Sequence, residues 1–237
     1  MIPLVRWTIG NTTSAGYECL KKSIESFRKF YECEVIVCYN CNDKIAKECI
    51  GDYQLFNQHD AAARASIKPQ GVSWKLYPPR LDESRYEIVI DNDIVFEQPL
   101  KEIHQFLNDD CTLLLQGDSR TYGRFERYVP EGYEINSGIY GMPPKFSLDK
   151  YVNFYCKSEW EINAHGIHKE SKTFDEQGII ALALLNYHKF VIISNTSVTN
   201  CERQLEISKA MHFIGLNRIA HHRPYKLYRS LNTKIHL

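Results

Sequence analysis

Ile88-Val89-Ile90-Asp91-Asn92-Asp93-Ile94-Val95-Phe96 is an apolar run broken by two carboxylates one residue apart. Continuous rather than alternating hydrophobicity before Asp91 predicts a strand covered on both faces, as in a parallel sheet. In open α/β sheets ligands gather outside the carboxyl ends of such strands. Two carboxylates at that edge repel each other and resist desolvation unless a cation lies between them. A hard divalent ion, Mn²⁺ or Mg²⁺, would neutralise the pair and keep coordination positions open for phosphate oxygens. The plainer reading is a strand that ends in a polar turn, where Asp and Asn are common.

Outward from this stretch, the chain has 237 residues, enough for one well-buried α/β domain and cramped for two. Lys plus Arg equals Asp plus Glu, 29 each, so no overall field draws the chain to nucleic acid or an anionic membrane. The longest apolar runs, such as Ile179 to Leu185, are far too short to cross a bilayer, and the first residues lack the pattern of a signal peptide. A cytoplasmic chain is expected. The eight cysteines then read as reduced, mostly buried thiols, and Cys38-Tyr39-Asn40-Cys41 lacks a second ligand pair for zinc.

Leu4 to Ile9 is a predicted strand, Ala15 to Phe30 a helix, Glu34 to Tyr39 a second strand and Tyr53 to Phe56 a weaker third. This β-α-β opening favours a parallel sheet. Helical pieces are expected over Ala61 to Ser66 and Val72 to Tyr77, the latter stopped by Pro78-Pro79. A short helix near Leu100 to Leu107 and a strand from Thr112 to Leu115 follow the Asp91 strand. Gln116 to Glu131 reads as a long loop at the site. Beyond it, Ile135 to Met142 is extended, Leu148 to Tyr155 and Phe174 to Leu185 are helical, and Val191 to Ile193 and Ala210 to Ile214 are late strands.

Four further segments join the carboxylate pair. In Asn136-Ser137-Gly138, the glycine permits close backbone approach and the polar side chains suit sugar hydroxyls. Asp175-Glu176-Gln177-Gly178 places polar groups at a helix start, where simple capping is the alternative. His212, followed by Gly215 and Arg218, suggests a metal ligand beside a phosphate clamp, against the commoner structural histidine. Lys75 precedes the Asp91 strand, although most lysines are solvated surface residues.

In this order the segments resemble GT-A glycosyltransferases, specifically glycosyltransferase family eight, the glycogenin-like and bacterial galactosyltransferase-like family. Lys75 falls at the family's distance before Asp91. Asn136-Ser137-Gly138 resembles its Asn-Ser-Gly, Glu176-Gln177-Gly178-Ile179-Ile180 its Asp-Gln-Gly-Ile-Leu, and His212 to Arg218 its His-Phe-x-Gly-x-x-Lys. Gly16 and Ser23-Ile24 resemble the helix after the family's first strand. The chain departs from the pattern at Glu176, where the family has Asp, and at Ala181, where it has Asn.

The resemblance implies a single GT-A, Rossmann-like domain over residues 1–237, with a mostly parallel central sheet flanked by helices. It implies that Thr8, Ile9, Gly10 and Asn92 line a nucleotide pocket completed by Tyr39 or Asn40, and that Asp91, Asp93 and His212 hold Mn²⁺ (or Mg²⁺). Lys75, Asn136, Ser137, Gly215 and Arg218 would attend the diphosphate and donor sugar. Asp175, Glu176 and Gln177 are the implied catalytic group: Gln177 or Glu176 stabilising an oxocarbenium-like transition state in a retaining reaction, or Asp175 or Glu176 acting as base in an inverting one. The implied donor is a nucleotide sugar, with UDP as the expected nucleotide, and the acceptor a glycan or lipid-linked hydroxyl. Arg120, Tyr122, Arg124 and the loop around His165 to His168 are expected to face the acceptor. Alternatives are a catalytically silent nucleotide- or glycan-binding module and a haloacid dehalogenase-like phosphatase, whose Asp-x-Asp supplies a phosphoryl nucleophile.

Overall fold

The computed structural model describes residues 1–63, 69–153, 174–200 and 209–213. Its main sheet follows from the apolar runs. Strands β1 (Leu4–Ile9), β2 (Glu34–Tyr39), β3 (Gln54–Asn57), β4 (Glu87–Asp91), β6 (Thr112–Gln116), β7 (Ile135–Met142) and β8 (Phe190–Ile193) form one seven-stranded layer. Their order is β3-β2-β1-β4-β7-β6-β8. β7 runs antiparallel to both of its neighbours, and every other pairing in the layer is parallel. The result is a single α/β domain with a mostly parallel sheet.

Side chains of successive strand residues point to opposite faces, and both faces here are covered. Ile88 and Ile90 share one core with Leu20, Ile24 and Phe27 of α1 (Ser14–Arg28) and with Ile103 and Phe106 of α4 (Lys101–Asn108). Val89, between them, joins the opposite core with Ile179 to Leu184 of α5 (Asp175–Leu185). That is why the run before Asp91 shows no alternation. α1 starts where Thr13 caps it by accepting from Gly16 N.

A small second sheet, β5 (Ile94–Phe96), β10 (Ala210–His212) and β9 (Val198–Asn200), leans on the end of β4. β10 pairs antiparallel with β5, setting His212 opposite Ile94.

Among the described residues the strand and helix expectations hold closely, with these differences, while residues 64–66, 154–155 and 214 of the expected elements lie outside them. The helical piece expected from Val72 is a 3-10 turn over Gly71–Leu76. Helix α2 (Asp43–Ile50) and strands β5 and β9 were not anticipated: α2 buries just Ala46 and Ile50, too few to set a visible period, and β5 and β9 are each three residues long. Helix α3 (Gln58–Ala62) begins earlier than expected.

Candidate active site

Asp91 ends β4, paired with Thr8 of β1 at the carboxyl edge of the sheet. α1 fixes this corner from behind. Trp7 Nε1 donates to Ser23 Oγ at 2.9 Å, Ser23 Oγ lies 3.5 Å from the Asp91 carbonyl, and Phe96 N donates to Ser26 Oγ at 3.0 Å. On the other side, Phe213 N donates to the Asp93 carbonyl at 2.8 Å, binding the end of β10 to the turn between β4 and β5.

These constraints bring Asp91, Asp93 and His212 together. One ligand atom from each lies within 4.8 Å of the others. His212 Nε2 is 3.3 Å from Asp93 Oδ1 and 3.7 Å from Asp91 Oδ2. His212 and Asp93 are buried, and Asp93 Oδ1 accepts no hydrogen bond. Burial opposes the imidazolium, yet Asp93 first and Asp91 second hold the His212 pKa above its ordinary value. Two carboxylate oxygens and an imidazole nitrogen, one oxygen lacking a donor, fit a divalent cation of Mn²⁺ type. The ring fits because residue 138 lacks a side chain: a Cβ there would stand 2.8 Å from His212 Cε1.

Lys75 reaches the same corner from the 3-10 turn. Its Nζ is 2.7 Å from Asp91 Oδ1 and 2.9 Å from Oδ2, and donates to Ser137 Oγ at 3.2 Å. Burial opposes the ammonium, but Asp91 and Glu176 carry its pKa above the ordinary value. Ser137 continues the chain of contacts into α5, its Oγ donating to Glu176 Oε1 at 3.3 Å and its N to Gln177 Oε1 at 3.1 Å. Glu176 Oε2 is buried without a hydrogen bond. Burial pushes this carboxyl above the usual range, against the pull of Lys75. Asn136 turns back on its own strand, Oδ1 accepting from Gly138 N at 2.7 Å.

Asp175 does not join this group. Both of its oxygens accept from Arg124, Oδ1 from the backbone N at 3.0 Å and Oδ2 from Nε at 3.0 Å. Gln177 Nε2 likewise ties the loop down, donating to Thr121 O at 2.7 Å and Oγ1 at 2.8 Å. Nor do Arg120 and Tyr122 present themselves to an acceptor. Arg120 binds Glu126 and the carbonyls of Val129 and Pro130, while Tyr122 is fully buried, its hydroxyl donating to Tyr133 O and accepting from Ile135 N. These side chains build the loop.

Of the residues expected to line a nucleotide pocket, Thr8 Oγ1 and Asn92 Nδ2 are buried without hydrogen-bond partners, and Ile9 is buried in the strand. Gly10 is closed over by Asn40, whose Oδ1 would lie 2.6 Å from a Cβ at that position. Tyr39 turns toward α2, donating from its hydroxyl to Asp43 Oδ1 at 3.0 Å. Gly215, Arg218 and the His165 to His168 loop lie outside the described residues. Sequence reasoning missed Arg6 and Gln58, which hold the Lys75 turn from below. A lone charge inside the apolar strand Leu4-Val5-Arg6-Trp7-Thr8-Ile9 was the available signal for the first.

No protein-family model and no curated protein matches the sequence. The structure is similar to several solved glycosyltransferases. Against mouse xyloside xylosyltransferase 1 in its apo form the TM-score is 0.59 at 9% identity, over 92% of this chain and 100% of that one. Against the galactosyltransferase LgtC, solved with donor and acceptor sugar analogs, it is 0.57 at 15% identity, over 95% of each chain. Against apo GlyE of Streptococcus pneumoniae TIGR4 it is 0.51 at 12% identity, over 91% of this chain and 55% of that one. At such identities the likeness establishes the fold, which is the GT-A fold of glycosyltransferases. Among the described residues no helix is long and apolar enough to cross a membrane.

Proposed function

We propose that this chain is a metal-dependent glycosyltransferase that moves a sugar from a nucleoside diphosphate sugar, UDP being the nucleotide, to a glycan hydroxyl. The observation that carries this reading is the meeting of Asp91, Asp93 and His212 at the carboxyl edge of a GT-A sheet, with the Lys75 ammonium on Asp91. A lipid-linked glycan satisfies the same acceptor chemistry. Nothing in the charge balance suits nucleic acid, with 29 basic and 29 acidic residues.

Asp91, Asp93 and His212 would hold a divalent ion, which would supply Lewis-acid neutralisation of the leaving diphosphate. The protein residues do the rest. Lys75 contributes a fixed positive charge in a buried setting, where it acts on developing negative charge without reorganising. Ser137 aligns Lys75 with Glu176 and Gln177, so the cation and the α5 acid are set by one strand residue. Glu176 Oε2, which lacks a donor, is the carboxylate oxygen left for the sugar, and Gln177 is fixed at both ends of its amide. Asp175, engaged twice by Arg124, is not poised as a base, which favours transfer with retention.

The described cysteines are free thiols, which accords with a cytoplasmic setting. Xylosyl- and galactosyltransferases both share the fold, so pentose and hexose donors belong in the same test. That test is a thermal-shift panel of nucleotide sugars with and without Mn²⁺, followed by a transfer assay on those that bind, since ligands of the native state raise its apparent stability. The expected result is stabilisation by one donor class that requires Mn²⁺, with its sugar transferred to a glycan hydroxyl and the nucleoside diphosphate released. No stabilisation by any donor in Mn²⁺ would refute the reading.

A further inference from the structure

The turn that carries Lys75 is fixed by two buried side chains from other elements. Gln58, at the start of α3 and 1% exposed, donates from Nε2 to Trp74 O at 2.7 Å and Tyr77 O at 2.6 Å. Arg6 of β1, also 1% exposed, donates from Nη2 to Lys75 O at 3.1 Å and Pro79 O at 3.3 Å, and from Nη1 to Pro78 O at 2.6 Å. Tyr140 Oη adds a donation to Lys75 O at 3.4 Å. The carbonyls on both sides of Lys75, and its own, are therefore anchored.

Burying a guanidinium in the middle of a sheet is costly even with Glu87 3.1 Å from its Nε, and an apolar residue of similar volume commonly serves stability as well or better. What an apolar residue cannot do is donate to the three carbonyls of Lys75, Pro78 and Pro79. A lysine tip sits four rotatable bonds from its backbone, so its reach to Asp91 and Ser137 is reproducible when that backbone is rigid. Gln58 has a second attachment: its Oε1 accepts from Asn40 Nδ2 at 2.9 Å, beside Gly10.

We propose that Arg6 and Gln58 are positioning residues that together set the Lys75 ammonium beside Asp91 and Ser137; this rests on the glycosyl-transfer reading of that site. Neither touches the reacting groups. Both act through the Lys75 turn, and Gln58 joins that turn to the strand end where the nucleotide is assigned.

The test is a pair of double-mutant cycles read by calorimetric binding of UDP in saturating Mn²⁺. The proteins are wild type, Arg6→Lys, Gln58→Met, Lys75→Met and the two doubles with Lys75→Met. Arg6→Lys keeps the charge for Glu87 but loses the planar fork. Each of Arg6→Lys and Gln58→Met should weaken UDP binding about tenfold when Lys75 is present, and less than about twofold when residue 75 is methionine. A purely structural role predicts the same factor in both backgrounds, and such multiplying losses would overturn the proposal. If Arg6→Lys does not fold, Gln58→Met, which removes no charge, decides the matter alone. Failure of wild type to bind UDP removes the transfer reading and this one with it, whereas multiplying losses in a protein that does bind overturn this one alone.

Discussion

His212 occupies the space that a side chain on residue 138 would need. A Cβ built on Gly138 falls 2.8 Å from His212 Cε1 and 3.2 Å from Nδ1, and 2.8 Å from Asn136 Oδ1. The glycine of the Asn-Ser-Gly segment thus gives room to a ring contributed from the far end of the described chain.

Gly138→Ala should displace His212 from Asp93 and leave much of β7 in place. We expect Mn²⁺ affinity to fall by at least about tenfold, with a stability loss of about 1–3 kcal/mol from overpacking. Mn²⁺ titration monitored by calorimetry, alongside urea unfolding, separates the two effects. Unchanged metal affinity in the alanine variant would mean that His212 is not a ligand.

The metal-free and metal-loaded proteins should respond to pH in opposite senses. Burial works against the His212 proton, but Asp93 and Asp91 outweigh it and raise the folded pKa above 6.5. A raised histidine pKa contributes stability that is fully present below 6.5 and is lost as pH rises through the folded value. Mn²⁺ needs the neutral ring, so its added stabilisation should grow over that same rise. Melting temperatures with EDTA and with Mn²⁺, from pH 5.5 to 8.5, give both slopes; in His212→Gln both should flatten. A Mn²⁺ effect equal at both ends of the range would speak against imidazole ligation.

Glu87 is fully buried, 3.1 Å from Arg6 Nε and 3.9 Å from Arg80 Nε, and accepts from Leu81 N at 2.9 Å. Glu87→Gln leaves the Arg6 guanidinium without its counter-charge. Breaking a buried pair from one side costs about 3–5 kcal/mol, so the urea midpoint should fall sharply. A midpoint within error of wild type would show that Arg6 is compensated by carbonyls alone.

Much of this architecture could be read from residue order. β2 and β4 matched because Val35 to Tyr39 and Ile88 to Ile90 are runs of residues that favour strands, and Asp91 marked the edge because a carboxylate ends such a run. The approach of His212 to the aspartates was also legible, but through family resemblance: its physical cause is the pairing of β10 with β5, which spacing does not reveal. Asp175 shows the opposite case. It stands next to Glu176 in sequence, yet the helix start turns it toward Arg124, so adjacency in the chain did not mean adjacency at the site. The link from Arg6 and Gln58 to Lys75 was hidden because it runs through the backbone carbonyls of residues 74, 75 and 77, which any sequence supplies.

On the proposed function, Asp93 helps hold the cation on which donor binding and turnover depend. Its most direct test is Asp93→Ala, assayed for nucleotide-sugar turnover and for Mn²⁺-dependent stabilisation by the donor that wild type uses. We expect the variant to remain folded, lose turnover, and show the same melting temperature with donor whether Mn²⁺ or EDTA is present. Wild-type turnover by Asp93→Ala in EDTA would contradict it.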